Sequence, residues 1–285
     1  MNRIRLIIQS IRRRGIKETA DKIQRRFTAS LNRLPVHLTY CKLRCLVLVL
    51  KRDKPRTTNI LGYRVAHQDI KSLYIEFKDI FKNQIYHFTA ENDAPTIIDG
   101  GGFIGLATLY FKYHFPAAKI TVFEPSPDVL PLLKKNIEQN HLRDVTIVPA
   151  GLGRKNETVS FAPSRTDAGK ISNEGSIAVQ INTLSQYLAE PLDYLKLNIE
   201  GSERDVLQEL DESGRLGRVR QLCFEWHSFA AGEQHLDECL RILQRNGFRY
   251  LINHFDYLTN RAVRPPFSVT EKTQYYLLVY ARKTS

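Results

Sequence analysis

The sequence predicts an α/β fold: a mostly parallel, seven-stranded sheet covered by helices on both faces. Three observations carry this expectation. From residue 95 onward, short apolar runs alternate with helix-like stretches, the pattern of repeated strand–helix–strand units. A glycine-rich turn, Asp99-Gly100-Gly101-Gly102-Phe103-Ile104-Gly105, links the first run to the first helix. Two further strand-like segments follow the fifth run and supply an antiparallel terminal pair.

The elements follow in order. Thr96-Ile97-Ile98 is the first strand, and residues 105–114 have helical spacing. Ile120-Thr121-Val122-Phe123 is the second strand, followed by a helix over 127–140. Val145-Thr146-Ile147-Val148 is the third, Tyr194-Leu195-Lys196-Leu197 the fourth, and Val219 to Phe224 the fifth. Helices are expected over 203–213 and 233–246, the latter stopped by Gly247. Tyr250-Leu251-Ile252 and Tyr275 to Tyr280 form the tail pair, a hairpin-like edge joined through a Pro265-Pro266 loop. No internal repeat or low-complexity tract interrupts the series.

Residues 1–56 form a basic helical N-terminal extension, and residues 57–285 the main domain. In the extension Ile4, Ile7, Ile8 and Ile11 share one helical face, and Ile16, Ala20, Ile23 and Phe27 repeat the spacing after Gly15. The chain of 285 residues carries a net charge of +12. Sixteen Lys or Arg in residues 1–56 face only Glu18, Asp21 and Asp53, so this segment holds +13 and the remainder about −1. Three readings of the extension stay open: a cap docked on the core, a segment adhering to an anionic membrane surface or RNA, and an Arg-rich transit peptide.

Other classes are excluded more directly. No apolar run approaches the roughly 18 residues of a membrane-spanning helix; Cys45 to Leu50 is the longest candidate. Leu6-Ile7-Ile8 is too short for a secretory signal core. Cys41, Cys45, Cys223 and Cys239 make no disulfide framework, and no His pair at finger spacing completes a zinc site. They are read as reduced, mostly buried thiols of a cytoplasmic protein, and no metal is expected.

Chemistry concentrates at the glycine turn. Glycines there let a ligand approach the backbone, and the helix that follows presents unpaired N–H groups. Gly100, Gly102 and Gly105 satisfy G-x-G-x-x-G, and Glu124 lies where an acid takes ribose hydroxyls. Taken literally, this spacing admits NAD. Asp99 favours S-adenosylmethionine, because a carboxylate before the glycines suits a cationic methionine portion and repels a pyrophosphate.

The stretch Ile97-Ile98-Asp99-Gly100-Gly101-Gly102-Phe103-Ile104-Gly105 resembles the first cofactor motif of FkbM-type methyltransferases. The resemblance continues through Phe123-Glu124-Pro125-Ser126-Pro127 and Leu132-Leu133-Lys134-Lys135-Asn136-Ile137. It resumes at Leu195-Lys196-Leu197-Asn198-Ile199-Glu200-Gly201-Ser202-Glu203 and Glu225-Trp226-His227. Glu76 to Phe88 also has the look of that family, and the likeness spans roughly residues 60–285. It implies a class I, Rossmann-like methyltransferase fold using S-adenosylmethionine to methylate a hydroxyl of a sugar, lipid-linked glycan or natural product. By the same resemblance Asp99, Gly101 and Gly105 line the methionine side, with Gly100, Gly102, Phe103 and Pro125 in the same motifs. Glu124 binds the ribose, and Ala150 and Gly151 lie by the adenine. Two departures stand out: Phe103 replaces a common Asn, and Asn198 replaces a common Asp.

Three residues are candidates for the chemical step. His227, just past the fifth strand, is the expected proton acceptor, with Glu200 second. Asn198 can hydrogen-bond a ligand but cannot act as a base. Glu203 is expected in the first turn of its helix, where the dipole favours an acid. The expected partner is a small-molecule or glycan acceptor, with an anionic membrane surface open to residues 1–56. An RNA methyltransferase with a basic arm is the alternative, but the near-neutral main domain and Asn198-Ile199-Glu200-Gly201 in place of an Asn-Pro-Pro-aromatic motif weigh against nucleic acid. A non-catalytic member of the fold is the remaining reading, motivated by Phe103 and Asn198. The protein is expected in the cytoplasm, with peripheral membrane attachment open.

Overall fold

The computed structural model describes residues 34–51, 54–162, 170–171, 177–228, 234–254 and 275–284. The first helical faces of the extension, Ile4 to Phe27, lie outside the described residues. A helix over 34–49 (α1) leads to a hairpin of β1 (Arg56–Ile60) and β2 (Tyr63–His67), then α2 (Ile70–Phe77) and a wide turn, Lys78–Lys82. The α/β series begins with β3 (Thr96–Gly100), α3 (Leu106–His114), β4 (Lys119–Phe123), α4 (Leu130–Glu138) and β5 (Val145–Val148). Four short strands follow: β6 (Gly151–Leu152), β7 (Glu157–Ala162), β8 (Lys170–Ile171) and β9 (Ile177–Asn182). The series resumes with β10 (Leu192–Leu197), α5 (Glu203–Glu212), β11 (Val219–Ser228), α6 (Leu236–Arg245), β12 (Phe248–Asn253) and β13 (Tyr275–Lys283).

The seven-stranded sheet has the order β12-β13-β11-β10-β3-β4-β5. β10 pairs parallel with β3 and β11, while β13 runs antiparallel between β11 and β12. This is the sheet that the resemblance implies, and the tail pair forms the antiparallel edge expected from the sequence. Within that pair β13 lies inside, against β11, and β12 takes the outermost place. Burial explains the order. Leu278, Val279 and Ala281 are buried on both faces of β13, whereas Tyr250, Leu251 and Ile252 of β12 are exposed.

Strand alternation sorts the side chains into two cores. Ile97, Ile120, Val122, Tyr194 and Cys223 face one side, with α2, α3 and α4 packed over them. Ile98, Phe123, Leu195, Leu197, Leu222 and Phe224 face the other, under α5 and α6. The same alternation puts Asp99, Lys196, Glu225 and His227 on the first side, toward the strand ends.

Two elements were not anticipated. β1 and β2 join through Leu61 (φ 48) and Gly62 (φ 87), both left-handed, as a two-residue hairpin turn requires. The buried Asn136 of α4 clamps this hairpin: its carboxamide accepts from Ala66 N (2.7 Å) and donates to Ala66 O (2.9 Å) and Ile104 O (2.8 Å). The second is the four-stranded sheet β6-β9-β7-β8, inserted between β5 and β10.

Candidate active site

The carboxyl ends of β3, β4, β10 and β11 open onto a cleft of about 520 Å³, closed on one side by α2 and its wide turn. Gly101, Gly102, Phe103, Glu124, Asn198, Glu200 and His227 all line it, together with Lys196, Glu225, Tyr86, Glu76 and Asp79. Open α/β sheets place ligands at this edge.

The glycine turn is held by its neighbours on both flanks. Gly101 N and Gly102 N donate to Phe123 O at 3.0 and 2.9 Å. Gly101 has φ +79, and a Cβ there would lie 1.8 Å from Asn198 O. A Cβ on Gly102 would lie 2.2 Å from Val122 Cγ1. No other residue fits either position. Phe103 also adopts a left-handed backbone, φ 46. Asn tolerates that region better than Phe, so the departure from the resembled motif falls on a strained residue whose N–H is tied to Glu124.

Glu124 sits at the end of β4, buried. Its Oε2 accepts from Phe103 N (2.8 Å) and its Oε1 from Ser126 N (2.9 Å). Burial raises its pKa against the lowering effect of those two bonds and Lys196. Two hydrogen bonds leave lone pairs on a carboxylate that can accept from ribose hydroxyls.

Asp99 is placed differently from the expectation that it faces the methionine portion. It is fully buried under the turn, where Lys196 Nζ lies 2.9 Å from Oδ1 and Thr108 Oγ1 donates to Oδ2 at 2.9 Å. Lys196 also donates to Gly100 O (3.0 Å) and Gly101 O (2.6 Å). Asp99 therefore acts through Lys196 to hold the turn. Pro125, Ala150 and Gly151 lie behind Glu124; Ala150 is buried, and a Cβ on Gly151 would meet Pro125 and Ile181 of the small sheet.

At the other end of the cleft, His227 stands between carboxylates. Its Nδ1 is 3.6 Å from Glu203 Oε1 and its Nε2 is 3.8 Å from Glu200 Oε2. Burial alone would lower its pKa, but Glu203, Glu200 and Glu225 together raise it to about 9. Glu203, in the first turn of α5, is nearly inaccessible and also accepts from Ile199 N and Gly201 N, both at 3.0 Å. It fixes the Asn198–Gly201 turn and sets a carboxylate beside the imidazole. Glu200 has φ 55, an uncommon conformation for a non-glycine residue and one that recurs at functional sites.

Glu225 and Tyr86 are the functional candidates that sequence reasoning left undeveloped. The Tyr86 hydroxyl donates to Glu225 Oε1. Burial raises the pKa of both groups. Glu225 shares a strand face with His227, a relation visible in the period of two. Tyr86 carried no comparable signal, because it arrives from outside the sheet.

The site fits S-adenosylmethionine. The glycine backbone is kept bare by contacts that forbid a Cβ, and Glu124 retains acceptor capacity. Asn198 Oδ1 is buried without a hydrogen-bond partner among the described residues, next to the turn; such an acceptor suits an ammonium group. Among the described residues, no group of His, Cys, Asp and Glu could hold a metal ion.

Comparison with known proteins gives a consistent result. Residues 91–250 match the family described as the Methyltransferase FkbM domain. Methyltransferase 1 of Beauveria bassiana is 29% identical over 171 residues, covering 49% of this chain and 69% of that protein. Methyltransferase sdnD of Sordaria araneosa is 27% identical over 191 residues, covering 52% and 74%. The AMB antimetabolite synthetase AmbE of Pseudomonas aeruginosa is 24% identical over 264 residues, covering 73% of this chain but 12% of its own length. Among solved structures, methyltransferase FkbM from Methylobacillus flagellatus aligns with a TM-score of 0.46 at 13% identity, covering 89% of this chain and 60% of that one.

Proposed function

The chain belongs to the FkbM methyltransferase family and uses S-adenosylmethionine, and on that premise we propose that it methylates a hydroxyl of a sugar, lipid-linked glycan or natural product. The observation that carries this reading is His227, set among Glu200, Glu203 and Glu225 on the cleft that also holds the glycine turn.

The bound cofactor supplies an electrophilic methyl group on a sulfonium. The protein then has two tasks: to place an acceptor oxygen in line with that methyl, and to take the proton it loses. Positioning can supply most of the rate. Glu203 orients the imidazole through Nδ1, which leaves Nε2 as the atom that receives the hydroxyl proton. The surrounding carboxylates stabilise the imidazolium so formed. They also keep His227 mostly protonated at neutral pH, so the neutral, proton-accepting form grows as pH rises toward about 9. Asn198 binds ligand and takes no proton.

Charge narrows the acceptor. Glu76, Asp79, Glu124, Glu200 and Glu225 line the cleft, and Lys196 is already matched by Asp99. A neutral polyhydroxyl acceptor suits this wall, and a phosphodiester is repelled by it. The synthetase relative, named for making an antimetabolite, keeps natural products among the candidates.

The test is transfer of labelled methyl from S-adenosylmethionine to panels of sugars, lipid-linked glycans, hydroxylated natural products and RNA. Label that survives alkaline hydrolysis on a hydroxylated acceptor is the expected result. Label released by mild alkali would identify a carboxylate acceptor, and label in RNA would move the reading to the alternative class.

A further inference from the structure

We propose that the outward face of α1 is a docking surface for an anionic phospholipid bilayer. α1 is apolar on two opposite sides. Leu43 is fully buried in the core beside α2, and Val36, Tyr40, Leu46, Val47 and Leu50 pack on the same core. The Tyr40 and Tyr74 hydroxyls are hydrogen-bonded at 3.0 Å, and Lys82 lies 3.6 Å over the Tyr40 ring. The inward side is therefore fully used.

At 3.6 residues per turn, Leu34, Leu38, Cys41, Cys45, Leu48 and Val49 fall within roughly 100° of arc on the other side. All six are exposed, Leu48 and Val49 at 81% and 75%. A monomeric helix normally carries polar residues on that side. Here the stripe is bordered by the exposed cations Lys42, Arg44 and Lys51.

Charge selects the occupant. The segment 1–56 holds +13 while the rest of the chain carries about −1, so a second copy of this chain would bring cations against cations. An anionic membrane surface complements both the apolar stripe and its basic border. No described helix is long and apolar enough to cross a membrane, so the stripe lies in the interface plane. This surface needs neither cofactor nor acceptor, and its test is independent of methyl transfer.

The full chain is floated with phosphatidylcholine vesicles with and without phosphatidylglycerol, beside the variant Leu48→Asp/Val49→Asp. The expected result is binding only to the anionic vesicles, weakened at least about tenfold by the double substitution. A second readout uses Cys41→Ser protein carrying an environment-sensitive dye on Cys45, whose emission should shift to the blue on anionic vesicles. This readout decides the matter if the double variant fails to fold. Absence of flotation, equal flotation of the variant, or an unshifted dye overturns the proposal. So does a dimer in solution that the variant breaks, or RNA that binds in place of the vesicles.

Discussion

At the scale of single residues, the charged groups of the site each make a prediction. Asp99 and Lys196 are both buried and 2.9 Å apart. Removing one partner of such a pair costs about 3–5 kcal/mol, because the other charge is stranded. Lys196→Met should lower the urea midpoint accordingly, and adding Asp99→Asn should restore part of the loss. An unchanged midpoint in the single variant would show that the pair does not hold the turn. Glu124→Ala removes acceptors for Phe103 N and Ser126 N as well as for the ribose. At about 1.5–3 kcal/mol per charge-assisted bond, calorimetry should show affinity for S-adenosylhomocysteine falling by at least about tenfold. His227 titrates in the folded protein at about 9, above its unfolded value of about 6.5. Its stabilising contribution is therefore complete below the unfolded value and lost as pH rises through about 9. The wild type's resistance to denaturation should fall across that window, and His227→Gln should flatten the dependence. If His227 accepts the proton, wild-type turnover should rise with pH up to about 9. His227→Ala should then cut turnover by about 10²–10⁴-fold with cofactor affinity unchanged; equal loss of both would indicate a structural role.

At the scale of elements, the parallel strands were legible because each is a buried apolar run set between helical spacings and glycine or proline stops. The two clusters that make the site were legible for the same reason: the glycine turn and Asn198 to Glu203 both follow such runs. Strand alternation alone places Glu225 and His227 together. The hairpin β1–β2 was missed because Arg56 to His67 mixes polar and apolar residues and its turn is Leu-Gly, not Asn-Gly. The small sheet was missed although Ile177, Val179 and Ile181 alternate at period two, because five residues of alternation are easily outweighed by the longer series around them. The burial of Asp99 was not legible at all: its partner Lys196 lies 97 positions away in the sequence from it, and only the register Lys196↔Asp99 brings them together. At this scale Gly101→Ala is the informative substitution. A Cβ 1.8 Å from Asn198 O, on a residue with φ +79, should unfold the turn, seen as loss of cofactor binding and a lowered Tm. Gly214→Ala, also at positive φ (+68) but with open space around it, should cost backbone strain alone and leave binding intact.

At the scale of the whole molecule, charge is divided by place: a strongly basic first 56 residues, and a main domain whose cleft is rimmed by carboxylates. α1 joins the two parts, since it packs on α2 and α2 forms a wall of the cleft. The acidic wall predicts that a neutral acceptor outperforms its phosphorylated counterpart, with a KM at least about tenfold lower at low salt; the reverse order would contradict the electrostatic reading. The central claim is that this cleft is a working S-adenosylmethionine site in spite of Phe103 and Asn198. Its most direct test is titration calorimetry of the full chain with S-adenosylmethionine, S-adenosylhomocysteine and NAD in parallel. Micromolar binding of both adenosyl ligands with no heat from NAD is the predicted result. Silence from the adenosyl ligands, or binding of NAD in their place, would contradict it.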